Sequence, residues 1–336
     1  MMVAPSSPRN NKNSNSNNSK GANVRVVARI RPLSAKEIGV GSHETIRRLD
    51  GNGSTQLVQV NGADKEKRWF ELDAVCDGTS TQADVYEQSG AQQAIRRDLF
   101  AGYNTSILAY GQTGAGKTHT MGTAAVVTSS ESIDNSDPTL DGNAGIIPRA
   151  CADLFRSIRE KCDRAVVTLS YLEIHNEQIR DLFNDDANAD PKKLKIRETP
   201  DGAVQVEGCV ERRVKSPADI GAAMEEAGKR RVVAATAMNA TSSRSHAICT
   251  LRIRGVLKDG GTKFASKLQL VDLAGSERIK KTGAQGTRQT EGININKSLL
   301  VLGQVVSALS SPTSASRKPP YRDSKLTRLL QGECGC

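Results

Sequence analysis

The chain has 336 residues, enough for two average domains or one large α/β domain, and 37% hydrophobic residues with 29 glycines support a core of ordinary size. That excludes a wholly disordered chain. No apolar run nears the roughly 18 residues of a membrane span, the first 23 residues are polar rather than a signal peptide, and seven scattered cysteines (76, 151, 162, 209, 249, 334 and 336) do not form a secreted disulfide framework. The sequence therefore reads as soluble and intracellular.

The net charge is +10, unevenly placed. Arg9, Lys12 and Lys20 make the first 23 residues basic. From residue 278 onwards ten Lys and Arg face only Glu291, Asp323 and Glu333, which leaves the stretch between the two neutral. A neutral body with a basic C-terminal fifth suits one face meeting a polyanion, and nucleic acid, anionic lipid or an acidic protein surface all satisfy that.

In chain order, residues 1–23 are rich in Asn and Ser and read as a disordered tail. Order is expected from Val24, where VRVVARI alternates as a strand and stops at Pro32. Val85 to Phe100 has helical spacing, and Thr105 to Tyr110 is a short apolar strand ahead of a glycine-rich turn. Residues 123–143 read as a surface loop. Val166 to Ile174 and Lys267 to Leu273 (KLQLVDL) read as strands, the second buried and carrying an acid near its end. Apolar residues at 295, 299, 302, 306 and 309 form one stripe of a helix. Strands alternating with helices, without a linker between 24 and 331, predict a single α/β domain.

Gly111-Gln112-Thr113-Gly114-Ala115-Gly116-Lys117-Thr118 matches the phosphate-loop pattern G-x-x-x-x-G-K-[ST]. Glycines let successive backbone N–H groups point at phosphate oxygens. Lys117 is placed to reach the β- and γ-phosphates and Thr118 to ligate Mg²⁺. Asp272, at the end of LQLVD, stands where an acid can hold Mg²⁺ through water, and Gly275 where a backbone N–H can meet a γ-phosphate. Asn239 to His246 (NATSSRSH) is dense in hydroxyls, and composition alone allows either a lid over phosphate or an ordinary polar turn. His43, His175 and His246 belong to no zinc-spaced group, and Cys334 with Cys336 forms a lone C-x-C.

With those pieces in order, the sequence resembles the kinesin motor domain. GQTGAGKTHTM (111–121), NATSSRSH (239–246), DLAGSER (272–278), NINKSLLVLGQVVSAL (294–309) and PYRDSKLTRLL (320–330) are similar to that family's motifs in the family's order, and VRVVARIRPL (24–33) and YLEIHNEQIRDL (171–182) extend the match across 24–331. The resemblance implies a phosphate-loop NTPase with a mixed, mostly parallel sheet flanked by helices, ATP and Mg²⁺ as its nucleotide and metal, and hydrolysis coupled to movement along microtubules. It assigns Arg29, Arg31 and Pro32 to the adenine side with His119 as neighbour. Ser243 and Arg244 fall in a first switch loop, Ser243 as a further Mg²⁺ ligand. Asp272 to Glu277 form the second switch, and the Arg244–Glu277 pair shuts over the γ-phosphate. Lys280, Lys281, Arg322, Lys325 and Arg328 fall on the side that faces acidic tubulin, at microtubules in the cytoplasm.

By the same resemblance nucleic acid loses ground, since only 3% of residues are aromatic and few bases could stack. GTP does too: Asn296-Lys297 continues as Ser-Leu, without the Asp that small GTPases use to read guanine. No membrane insertion is implied. The short tail before Val24 suggests a motor at the N-terminus. After Gln331 the sequence ends in GECGC, where the resemblance implies a last strand in the middle of the sheet, a final helix and a neck. About six buried residues at about 1.5–3 kcal/mol each would go with that strand, against a typical domain stability of about 5–15 kcal/mol. The expectation is a marginal or unfolded chain, and the alternative activity is that of a non-motile microtubule- or nucleotide-binding fragment.

Overall fold

A computed structural model describes residues 2–5, 24–49, 55–62, 66–122, 140–184, 194–200, 202–237, 242–277, 287–310 and 318–331. Strands are β1 (Met2–Pro5), β2 (Arg25–Arg29), β3 (Ile46–Leu49), β4 (Gln56–Asn61), β5 (Lys67–Leu72), β6 (Ala74–Cys76), β7 (Thr105–Ala109), β8 (Cys162–His175), β9 (Gln178–Asp181), β10 (Lys195–Glu198), β11 (Val204–Glu207), β12 (Arg212–Val214), β13 (His246–Leu257) and β14 (Lys263–Asp272). Helices are α1 (Ala35–Gly39), α2 (Gln82–Gln88), α3 (Ala91–Gln93), α4 (Lys117–Met121), α5 (Ile146–Lys161), α6 (Pro217–Ala237), α7 (Thr287–Ser310) and α8 (Lys325–Leu330).

The main sheet has nine strands in the order β12-β8-β13-β14-β7-β1-β2-β6, with β9 beside β8. It is mixed, yet among the described residues only β7–β14 and β2–β6 pair in parallel, so "mostly parallel" does not hold there. The cause is local connectivity. β13 turns directly into β14, and β8 turns directly into β9, and such short links demand antiparallel neighbours. The β8–β9 turn has Asn176 and Glu177 at φ 50° and 57°, the doubly left-handed arrangement of a two-residue hairpin.

Alternation along the strands divides the core. Ile107, Ala109, Leu268, Leu270, Cys249, Leu251, Tyr171 and Leu169 face one layer, filled by Ile146, Ala150, Leu154 and Phe155 of α5 and Ile220 and Met224 of α6. Leu108, Val271, Ile248 and Leu172 face the other, filled by Leu302 of α7 and Leu326, Leu329 and Leu330 of α8. β7 is therefore buried at every residue and tolerates only small or apolar side chains. The expected stripe of α7 is present: Ile295 and Leu302 are buried, and Leu299 and Val306 pack against the core.

Two sequence expectations need correction. The helical run from 85 to 100 is broken, because Gly90 enters the left-handed region at φ 75° and ends α2, after which a short π turn covers Ala94–Asp98. Residues 2–5, read from composition as part of a disordered tail, form β1 between β2 and β7. Residues 6–23, the loop at 123–139 and the ending at 332–336 lie outside the described residues.

Asp153 of α5 locks the first layer. Its buried carboxylate accepts from the Tyr86 hydroxyl at 2.9 Å and from Arg96 at 2.6 Å, joining α2 and the π turn to α5. Asp153→Ala strands the buried Tyr86 hydroxyl while the partly exposed Arg96 turns to water, and the expected cost is about 1–3 kcal/mol, read as a lowered urea midpoint with an unchanged slope.

Candidate phosphate-binding site

β7 and β14 are parallel neighbours, so their C-terminal ends emerge side by side. β7 delivers the loop from Gly111 to Thr118, and β14 delivers Asp272 and the segment to Glu277. Gly114 and Gly116 take φ 80° and 89°, which lets the loop curl and enter α4 without a β-carbon clash. Lys117 Nζ donates to the carbonyls of Gly111 (2.9 Å) and Gln112 (3.1 Å) within the same loop. Burial lowers the ammonium pKa of Lys117, against the pull of Asp272 and Glu277.

Thr118 Oγ1 donates to Asp272 Oδ2 at 2.7 Å. Burial raises the Asp272 pKa, only partly opposed by Thr118, Arg231 and Lys117. Its second oxygen, Oδ1, is buried without a hydrogen-bond partner. A buried carboxylate oxygen without a donor is costly, and beside a threonine hydroxyl it is the donor set that suits a hard divalent cation.

Three backbone bonds draw the surrounding loops together. Gly275 N donates to Ser243 O at 2.7 Å, Ser276 N to Gly111 O at 3.2 Å and Leu273 N to Ala109 O at 3.2 Å. Ser243 and Arg244 lie on the 3-10 turn Ser242–Arg244, just ahead of β13. Glu277 reaches across to the phosphate loop, where its carboxylate accepts from Thr113 N at 3.0 Å and from Thr113 Oγ1 at 2.6 Å. Burial pulls its pKa up, but the Thr113 donors and Lys117 outweigh that and leave it below the usual range. Gly275 sits against this contact. A β-carbon there would lie 2.2 Å from Glu277 Oε2 and 2.4 Å from Thr113 Oγ1.

The expected adenine side assembles in part. Arg29 Nη1 donates to Gln82 Oε1 at 2.8 Å and to Thr120 Oγ1 at 3.0 Å, and Gln82 Nε2 donates to the His119 carbonyl at 2.8 Å. Arg31 makes an exposed bidentate pair with Glu37 at 2.9 and 2.6 Å and donates to the Pro32 carbonyl, and its Cδ lies 3.9 Å from where a β-carbon on Gly116 of the phosphate loop would stand. Arg322 is exposed and pairs with Glu198 at 3.2 Å. Lys325 and Arg328 lie three residues apart on one face of α8, both half-buried. The β8–β9 turn explains the placing of that segment: Glu177 accepts from Lys325 N at 2.9 Å and from Ser324 Oγ at 3.4 Å. Lys280, Lys281 and Asn239 lie outside the described residues.

Sequence reading missed the supports behind these loops. His246 is buried, its Nδ1 accepts from Ala274 N at 3.1 Å, and its Nε2–H donates to Ser298 Oγ at 2.8 Å, because that hydroxyl gives its own proton to Ile295 O. Burial, with Arg231 and Lys117 nearby, holds the imidazole pKa down to about 3, so it is neutral. Ser245 Oγ donates to Glu173 Oε1 at 2.6 Å, and Arg231 pairs with the same oxygen at 3.1 Å. Ser298 was detectable, since it lies beside the apolar stripe of α7, where a small polar residue needs a buried partner. Nothing in sequence marks Gln82.

Known proteins bear on this geometry directly. The family description "Kinesin motor domain" matches residues 29–335. The human "Chromosome-associated kinesin KIF4B" is 44% identical over 318 residues, which cover 94% of this chain and 24% of that protein. The rat "Kinesin-like protein KIF1B" is 40% identical over 342 residues, covering 94% of this chain and 18% of its own length. The chain thus spans about a quarter or less of these relatives. Among solved structures, that of "a fast kinesin" superposes with a TM-score of 0.73 at 37% identity, covering 92% of this chain and 81% of the other. The motor domain of the Kar3-like kinesin from Ashbya gossypii gives 0.72 at 29%, covering 92% and 88%. The chain belongs to the kinesin motor domain family.

Proposed function

We propose that this chain is a microtubule-stimulated ATPase of the motor type, acting at microtubules in the cytoplasm. The observation that carries the reading is the junction of Thr118 with Asp272, whose second oxygen is buried and unpartnered, beside a phosphate loop that Glu277 already touches.

Mg²⁺, when bound, neutralises charge on the β- and γ-phosphate oxygens. The residues that would hold it are Thr118 and Ser243 directly and Asp272 through water. Lys117 offers its ammonium to the same phosphates in exchange for the two loop carbonyls it now serves. Loop backbone N–H groups from Gly111 to Thr118 supply the remaining donors, and Arg29, Arg31, Pro32 and His119 flank the base. Gly275 N, held by Ser243 O, is the group we assign to sensing the γ-phosphate. Glu277 and Arg244, on loops already joined by that bond, are assigned to closing over it and positioning the attacking water. Little covalent chemistry is asked of the protein, so catalysis is placement and charge stabilisation.

The basic segment around Arg322, Lys325 and Arg328 is the side we assign to tubulin, together with Lys280 and Lys281. The Arg322–Glu198 pair is exposed, and such pairs are worth about 0–1 kcal/mol, so an acidic partner can displace Glu198 at little cost. Steady-state ATP turnover with and without stabilised microtubules, at low and moderate salt, tests the whole reading. Strong, salt-sensitive stimulation is expected; nucleotide-insensitive co-sedimentation without turnover would sink it.

Four variants separate the parts. Lys117→Ala is expected to weaken MgATP binding by about 100-fold or more, whereas Glu277→Ala should bind MgATP normally and lose about 10²–10⁴-fold in kcat. Equilibrium binding of a fluorescent nucleotide alongside single-turnover hydrolysis distinguishes them. Gly275→Ala must push Glu277 off Thr113, and the expected result is a fall in kcat of at least about tenfold at near-normal Tm. Neutralising Arg322, Lys325 and Arg328 together should raise the KM for microtubules about tenfold at low salt, with the difference shrinking as salt screens both proteins.

A further inference from the structure

One buried amide joins three segments beside the phosphate loop. Gln82 is the first residue of α2, whose start is fixed by Thr81: its Oγ1 accepts from Asp84 N at 3.2 Å, and the Asp84 carboxylate accepts from Thr81 N at 2.8 Å. One turn on, the Tyr86 hydroxyl ties the same helix to Asp153 of α5. From this anchored turn the Gln82 side chain, 5% exposed, reaches inwards. Its Oε1 accepts from Arg29 Nη1 at 2.8 Å, at the end of β2. Its Nε2 donates to the carbonyl of His119 on α4 at 2.8 Å and to that of Asn143, just ahead of α5, at 3.3 Å. His119 Nδ1 lies 3.2 Å from the same nitrogen.

The partners dictate the side chain. A guanidinium only donates and a carbonyl only accepts, so the amide oxygen must face Arg29 and the nitrogen must face the two carbonyls. Glutamate would set a carboxylate against both carbonyl oxygens, lysine would set a second cation against Arg29, and an apolar residue would leave all three groups unserved. Arg29 in turn bonds, among the described residues, with two neutral groups, Gln82 and Thr120, and Thr120 Oγ1 donates to the Gly116 carbonyl of the phosphate loop at 2.9 Å. Neutral acceptors fix the guanidinium plane without cancelling its charge, which is what stacking on an aromatic ring requires. The chain at 143–145 is pressed against the end of α4, since a β-carbon on Gly145 would lie 2.6 Å from the Thr120 carbonyl oxygen.

We propose that Gln82 is a positioning residue for the nucleobase: it aims the Arg29 guanidinium and holds His119 and the chain at Asn143 as one wall. Both its N–H groups and one oxygen lone pair are committed to protein, so it supports the base contacts rather than making them. The proposal rests on the nucleotide reading above. Gln82→Met fills the same space with an unbranched chain and removes every one of these bonds, and Gln82→Leu is the second variant should the first fold poorly. Titration calorimetry compares MgATP with magnesium tripolyphosphate, which carries the phosphates and no base. Kd for MgATP is expected to rise about tenfold, the worth of roughly one hydrogen bond, while that for tripolyphosphate stays within about twofold of the parent. Equal weakening of both ligands marks a merely structural role and overturns the proposal, as does parent-like affinity for MgATP.

A second readout needs no nucleotide. The chain has four histidines, His43, His119, His175 and His246, and their imidazole signals are resolved by NMR with labelled histidine, His119→Gln identifying the one concerned. In Gln82→Met the His119 signal is expected to move and the other three to stay. An unmoved His119 signal overturns the positioning role. Should the parent bind neither ligand, the nucleotide reading fails, while this spectrum still decides whether Gln82 sets His119.

Discussion

The hydrogen bond from Thr118 Oγ1 to Asp272 Oδ2 is the constraint on which the rest of the site depends. It exists because β7 and β14 run parallel in register, Leu108 against Val271 and Ala109 against Asp272, so that two loops leave the sheet at one level. Near the exit both strands are apolar, Ile107, Leu108 and Ala109 in β7 and Leu270 and Val271 in β14, and Asp272 is the acid that closes β14. A one-residue slip of either strand would turn Asp272 towards the core and bring an apolar side chain to face Thr118. The packing of Leu108 and Val271 against α8, far from any phosphate, therefore sets the spacing of the two oxygens.

From that junction the loops are wired in series. The segment after Asp272 is tied to the phosphate loop at Gly111 and Thr113, to the 3-10 turn at Ser243, and to α7 through His246 and Ser298. Because the imidazole is buried and neutral, this last link is a directional pair of hydrogen bonds and not a charge contact, so it carries displacement without titrating at ordinary pH. Ser245, one residue before His246, is fixed from behind by the buried Glu173–Arg231 pair, which binds the same stretch to β8 and α6. A shift at Gly275 thus has stiff routes to α7 and few soft places in which to dissipate. Interfaces of this kind respond by switching between packings rather than by bending.

Much of this was legible in sequence because the chemistry is local. GQTGAGKT fixes its own turn, KLQLVD announces a strand with an acid at its end, and the spacing from 295 to 309 is a helix whatever surrounds it. What sequence could not show is long-range partnership. Arg31 pairs with Glu37, six residues away in a capping turn, a contact its approach to the phosphate loop did not announce. Arg322 meets Glu198, and Glu177 caps α8, across separations that no periodicity encodes. The Asn/Ser-rich composition of residues 1–23 concealed β1 for the same reason: MVAP has no pattern of its own, and its pairing with β2 and β7 is long-range.

The charges of the site point the same way as its geometry. Burial disfavours both the Lys117 ammonium and the Asp272 carboxylate, and neither is fully compensated by its neighbours. Apolar groups of the same shape would be at least as stable in such a place, and perturbed ionisable groups cluster where chemistry is done. On the proposed reading a phosphate chain meets Lys117 while a divalent cation meets the Asp272 side, and each corrects the imbalance the fold leaves. Glu277 differs: Thr113 already satisfies it and holds it below the usual carboxylate range. On the same proposed reading, a carboxylate held below its usual range suits a group that orients water without binding the phosphate itself.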